Sequence, residues 1–216
     1  MSLSTWVHRV GKPVLFVACL VPFSLLVTDL FQGRLGANPI EEITHRTGDW
    51  ILIFLFMTLS ITPLRRLTGW GVLIRFRRMF GLFAFFYAVA HFSTYVVFDH
   101  FFDLAAIVED IVVRPYVTVG FTSLVLLMPL AVTSTKGWVK RLGGRRWNRL
   151  HQLIYVSAVG GVLHYLWLVK ADVRRPIVFG LVLVALLATR LWQPRKRRRP
   201  AEATVGDAPA PLAESG

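Results

Sequence analysis

Two histidines lie deep inside apolar stretches of helical length: His91 within RRMFGLFAFFYAVAHFSTY (residues 77–95) and His164 within HQLIYVSAVGGVLHYLWLV (residues 151–169). An ionisable group at membrane depth is costly, which makes it a functional residue by default. Helical steps back from His91 reach Ala88 and Ala84, and from His164 reach Gly161 and Ser157, so each imidazole tops a stripe of small residues. The chemistry that suits such a pair is haem ligation, with an apolar slot for the macrocycle and one nitrogen from each of two helices as axial ligands to iron. Small-residue stripes also mark close helix packing, with histidines hydrogen-bonding across the interface. The recurrence of two histidines at matching depth favours ligation.

The elements that must carry them are membrane helices. The chain has 216 residues, is 55% hydrophobic and has a mean hydropathy of +0.55, which excludes a soluble globular fold and implies an all-α, multi-pass bundle. A single cysteine, Cys19, leaves no internal disulfide and no cysteine cluster for zinc or iron and sulfur, so a metal here would rely on histidine or carboxylate. The net charge of +13 does not signal nucleic acid, because the basic residues bracket the apolar runs.

Six spanning helices are expected, at about 13–31, 49–64, 79–98, 116–133, 151–169 and 176–192. Residues 1–12 form a basic lead, 13–192 the transmembrane domain, and 193–216 a basic and then disordered tail. The first apolar run lacks a small-residue cleavage site and reads as a retained anchor. Residues 32–48 read as a polar loop with Gly33, Gly36 and Asn38-Pro39 as turn signals, and 134–150 as a basic connection. Residues 99–114 carry Asp99, Asp103, Glu109 and Asp110 among helically spaced apolar residues. They predict a short helix on the membrane surface and an acidic docking surface for a partner.

Placing both termini and the second and fourth loops on one side gathers about 18 of the 25 lysines and arginines there, so both termini face the cytoplasm. The third and fifth helices then run outward together. His91 and His164 meet at one level, and His151 lies about 20 Å below His164 at the cytoplasmic rim. At the same rim the third helix offers Arg77 and Arg78 where a second histidine would stand. Their planar guanidinium groups suit a flavin phosphate, a quinone headgroup or haem propionates, or else serve only topology. His8, His45 and His100 are expected to be solvated or interfacial.

RRMFGLFAFFYAVAHFSTY followed by WNRLHQLIYVSAVGGVLHYLW resembles the ferric-reductase-like transmembrane superfamily and, within it, the MsrQ (YedZ) family of haem-binding membrane subunits of the bacterial periplasmic protein-methionine-sulfoxide reductase. The resemblance implies an inner-membrane subunit that takes electrons from the quinone pool or a cytosolic flavin reductase. It passes them through b-type haem to a separate molybdenum-containing periplasmic subunit, which reduces methionine sulfoxide. It further implies that His91 and His164 ligate an outer haem, that His151 stands at an inner haem or flavin site, and that FMN is a second cofactor. Relatives with two histidines on each of two helices differ from this chain, which has one on the third.

No dinucleotide-binding glycine fingerprint is present and the stretch beyond the sixth helix is too short for a nicotinamide domain, so electrons come from a lipid-soluble donor or another protein. Two other readings remain open on sequence alone. One is a stand-alone ferric or cupric reductase, and the other a non-redox anchor for a periplasmic partner.

Overall fold

Prolines and short polar residues set where the helices begin. Pro13, Pro39 and Pro115 stand in the first turn of their helices, where a missing N–H costs no hydrogen bond. Asn38, Asp103 and Thr135 accept hydrogen bonds from backbone N–H groups of the turns that follow them. The computed structural model describes residues 7–169 and 172–191, and among these every regular element is helical. The α-helices are α1 (Lys12–Phe31), α2 (Pro39–Thr68), α3 (Ile74–Thr94), α4 (Leu104–Val113), α5 (Pro115–Val132), α6 (Lys136–Leu150), α7 (Leu153–Leu168) and α8 (Arg174–Leu191). The tail expected at 193–216 and the first six residues of the lead lie outside the described residues.

Among the described residues four segments are long and apolar enough to cross a membrane: Arg9–Phe31, Pro39–Thr68, Gly71–Asp99 and Pro115–Val132. The stretches expected as the fifth and sixth spans are helical, as α7 and α8, but neither is among those four. With 16 residues α7 is short for a span, and α8 carries Arg174, Arg175 and Arg190.

Two expected connections are helical instead. The 30 residues of α2 begin ten positions before the expected start, because Asn38-Pro39 is an N-cap followed by a first-turn proline rather than a loop turn. Gly69, at φ 73°, ends that helix in the left-handed conformation. The basic connection is α6, amphipathic and broken at Gly143, whose φ of 70° a side chain would disfavour.

The most extensive interfaces are α2 with α3 and α5 with α7. Small residues allow both: Ala84 and Ala158 are fully buried, and a Cβ at Gly160 would collide with the Ser123 hydroxyl. By contrast, α1 buries only Cys19 and Leu26. Pro22 interrupts its ladder, and the buried Tyr87 of α3 repairs the gap. Its hydroxyl accepts from Phe23 N at 3.1 Å and donates to Cys19 O at 3.1 Å, standing in for the lost helical bond.

Candidate functional site

His91 and His164 face one another across a cavity between the α2/α3 and α5/α7 pairs, with ring centroids 6.2 Å apart and ring planes at 89°. Each ring is held by its Nδ1. That of His91 lies 3.0 Å from the Thr44 carbonyl and 3.2 Å from the Thr47 hydroxyl, and that of His164 lies 2.7 Å from the Tyr116 carbonyl. A carbonyl oxygen only accepts, so both Nδ1 atoms carry the proton and both Nε2 atoms keep a free lone pair. This is how metal-ligating imidazoles are oriented by their surroundings. Metal–imidazole bonds of about 2 Å on opposite sides of one ion, plus the distance from each nitrogen to its ring centre, total about 6 Å. The observed separation therefore fits a single metal between the rings.

A glycine makes room for one of the rings: a Cβ at Gly120 would lie only 2.7 Å from His164 Nδ1, whereas one at Gly48 would meet His91 Cε1 at an ordinary 3.4 Å. The stripes expected from the sequence divide. Ala88, Ser157 and Gly161 line the cavity, whereas Ala84 packs in the core. Slot and packing are thus both realised, and Ala88 takes part in each. The Ser157 hydroxyl faces this cavity buried and without a partner, a group left for a ligand to satisfy. Among the described residues no three histidines, cysteines or carboxylates converge to hold a bare ion. Two axial nitrogens suffice for an iron already held by a porphyrin, and the donor set fits haem in that respect.

The mouth of the cavity beside α4 holds His45 and His100, which the sequence alone places in solvent or at the interface. His45 and Asp49 of α2 line it, with Asp49 reaching Arg175 at 3.3 Å. His45 stands one turn before Asp49 on the same face, a relation visible only once α2 is known to start at Pro39. Asp110 of α4 is buried there. It accepts from Arg114 Nε at 2.8 Å and Tyr95 Oη at 2.9 Å, with His100 Nε2 at 3.5 Å. The expected acidic surface is changed at one residue: Asp110 faces inward, whereas Asp99, Asp103 and Glu109 are exposed beside the apolar Leu104, Val108 and Val112, each of these three more than 60% exposed.

At the other end, before α7 begins, His151 stacks on Trp147 with ring centroids 3.9 Å apart. Its Nε2 lies 3.2 Å from Thr133 Oγ1, whose own proton goes to the Pro129 carbonyl at 2.6 Å. His151 Nε2 is thus the donor, which leaves the lone pair on Nδ1; only ligation through Nε2 would cost the Thr133 bond. Burial and then the charge of Arg77 push its pKa down to about 4. Arg190 of α8 reaches the Leu59 carbonyl at 3.3 Å and the Thr62 hydroxyl at 3.1 Å and sits 5.1 Å over the Tyr155 ring. Arg77 is near enough for its charge to act on both His151 and Arg190. Arg78 is not with them: it lines a separate groove with Lys12 and Arg75 between α1 and α3.

An all-helical membrane fold with paired, carbonyl-anchored histidines facing across a cavity defines the class, and residues 47–162 match the family described as ferric reductase like transmembrane component. Three relatives carry the name protein-methionine-sulfoxide reductase heme-binding subunit MsrQ. That of Herminiimonas arsenicoxydans is 56% identical over 191 residues, covering 86% of this chain and 88% of the relative. Those of Rhodospirillum rubrum and Xanthomonas oryzae pv. oryzae are 53% and 50% identical, covering 88% of this chain in each case and 92% and 89% of the relatives. The chain belongs to the MsrQ family.

Proposed function

We propose that this chain is the electron-carrying membrane subunit of a protein-methionine-sulfoxide reductase. In this reading it spans the bacterial inner membrane six times with both termini in the cytoplasm, α7 and α8 being the fifth and sixth spans. His91 and His164 hold one b-type haem near the outer side through their Nε2 atoms. The observation that carries this is the pair of Nδ1–carbonyl bonds, which leaves both Nε2 lone pairs free on rings whose centroids lie 6.2 Å apart. Haem supplies reversible one-electron chemistry there. The chain's own residues orient the imidazoles, keep water from the slot with Leu52, Leu55 and Leu124, and fix the tautomers.

Electrons enter at the cytoplasmic rim from a quinol or a flavin reductase. Arg77 and Arg190, with His151 as a neutral donor, form an electropositive site for an anionic carrier such as FMN or a quinone headgroup. A second haem on His151 is the competing occupant, and ligation through Nε2 would require the imidazole to leave Thr133. Electrons leave at the outer mouth for a periplasmic molybdopterin subunit, where the sulfoxide is reduced.

The test is spectroscopic. His91→Ala and His164→Ala should each remove the same haem, seen as parallel loss of the reducible Soret band from the purified chain. Full haem content and an unchanged reduced spectrum in both variants would sink the assignment.

A further inference from the structure

The groove between α1 and α3 is unexplained by electron transfer. Three cations from two helices converge at its head: Lys12 of α1, and Arg75 and Arg78 of α3. No carboxylate lines it. Below them the walls are apolar, formed by Phe16 and Leu20 on one side and Leu82, Phe83 and Phe86 on the other. The Phe16–Phe83 contact at 5.2 Å and the Phe23–Phe86 contact at 5.1 Å join the two helices along it, and the Tyr87 bridge to Cys19 and Phe23 closes its far end.

We propose that this groove binds one anionic phospholipid of the cytoplasmic leaflet, with its phosphate against Lys12, Arg75 and Arg78 and an acyl chain laid along the apolar walls. Depth supports it. Lys12 to Leu20 and Arg75 to Phe86 span about 12 and 16 Å of helix, and half of a hydrocarbon core of about 30 Å is about 15 Å. The groove is one leaflet deep. Packing supports it too, because α1 buries only two of its 20 residues and needs other contacts to hold its place.

Charge discriminates among occupants. A quinol giving up electrons must also give up its hydroxyl protons to a base, and the polar lining is three cations with none to offer at neutral pH. Free phosphate would leave the aromatic walls unused. Basic pockets between membrane helices on the cytoplasmic side suit anionic lipid headgroups. The inference rests on the topology proposed above and is independent of any cofactor.

The experiment uses the full chain, purified in mild detergent, delipidated, and titrated with phosphatidylglycerol, phosphatidylcholine or inorganic phosphate. Bound lipid is counted by native mass spectrometry and Tm followed by tryptophan fluorescence. One phosphatidylglycerol should bind and raise Tm, while phosphatidylcholine and phosphate do neither. Lys12→Gln with Arg75→Gln and Arg78→Gln should weaken binding about 100-fold. Leu20→Trp, which fills the shaft and leaves every topology-setting charge in place, should abolish it with the Soret band or, if haem is absent, the helical circular dichroism unchanged. Equal binding of phosphatidylcholine, retained binding in Leu20→Trp, stabilisation by phosphate alone, or a quinone in place of lipid in the native mass would each overturn the proposal.

Discussion

Gly120→Ala is the sharpest probe of the outer site. The new Cβ would stand 2.7 Å from His164 Nδ1, 2.9 Å from Cε1 and 3.0 Å from Cγ, all well inside van der Waals contact. The imidazole is rigid and its Nδ1 is pinned at 2.7 Å to Tyr116 O, so relief means moving the ring and stretching that bond. Overpacking of this kind costs about 1–3 kcal/mol, against which a buried helical glycine replaced by alanine recovers about 1 kcal/mol of propensity. Where the full overpacking cost falls on ligation, about 1.4 kcal/mol per tenfold makes it about a 5- to 150-fold loss of affinity for whatever His164 holds. Gly48→Ala is the matched control. Its Cβ meets His91 Cε1 at 3.4 Å, an ordinary contact, so it should keep its haem and gain slightly in Tm. The assay is haem per chain with the reduced absorption spectrum, beside Tm. Equal haem content in the two variants would refute the claim that Gly120 makes the room in which His164 ligates.

Other consequences are open to measurement. Tyr87→Phe removes the hydroxyl that bridges Phe23 N and Cys19 O and should lower stability by about 1–3 kcal/mol, read by thermal unfolding, with the Soret band unmoved. Arg77→Gln should leave haem bound and reducible by dithionite but slow its reduction by quinol or flavin reductase; normal donor-driven reduction would remove Arg77 from the inner site. Protonating His151 is opposed in the folded chain, since its pKa falls from 6.5 to about 4. The unfolded chain therefore binds more protons between those values, and stability falls as pH drops through that window. His151→Gln should flatten the Tm profile between about pH 6.5 and 4 relative to wild type. Asp110→Asn should loosen α4, seen as faster amide exchange over Leu104–Val113, because it weakens the acceptor for Arg114, Tyr95 and His100.

Much of this was legible in the chain because apolar length and two out-of-place imidazoles are strong signals. His91 and His164 face each other as their spacing implies, although α3 and α7 begin at other positions than expected. Where the reading failed, local and tertiary signals had been confused. Asn38-Pro39 has the chemistry of a turn and of a helix start alike, and choosing the turn hid His45. Residues 136–150 have charge but also a 3.6-residue apolar period, which a basic loop does not need. The inward turn of Asp110 depends on Tyr95 and His100, partners that arrive from another helix and that no periodicity announces.

The anchoring of the two imidazoles also bears on how the bundle comes together. His91 belongs to α3 but leans on the carbonyl of Thr44 in α2, and His164 belongs to α7 but leans on that of Tyr116 at the head of α5. Each ligand thus speaks for a closely packed pair of helices, while contact between the pairs is sparser. A group held by both rings would fasten these two helix pairs to each other, so that its binding would add to the stability of the bundle as well as supply its chemistry.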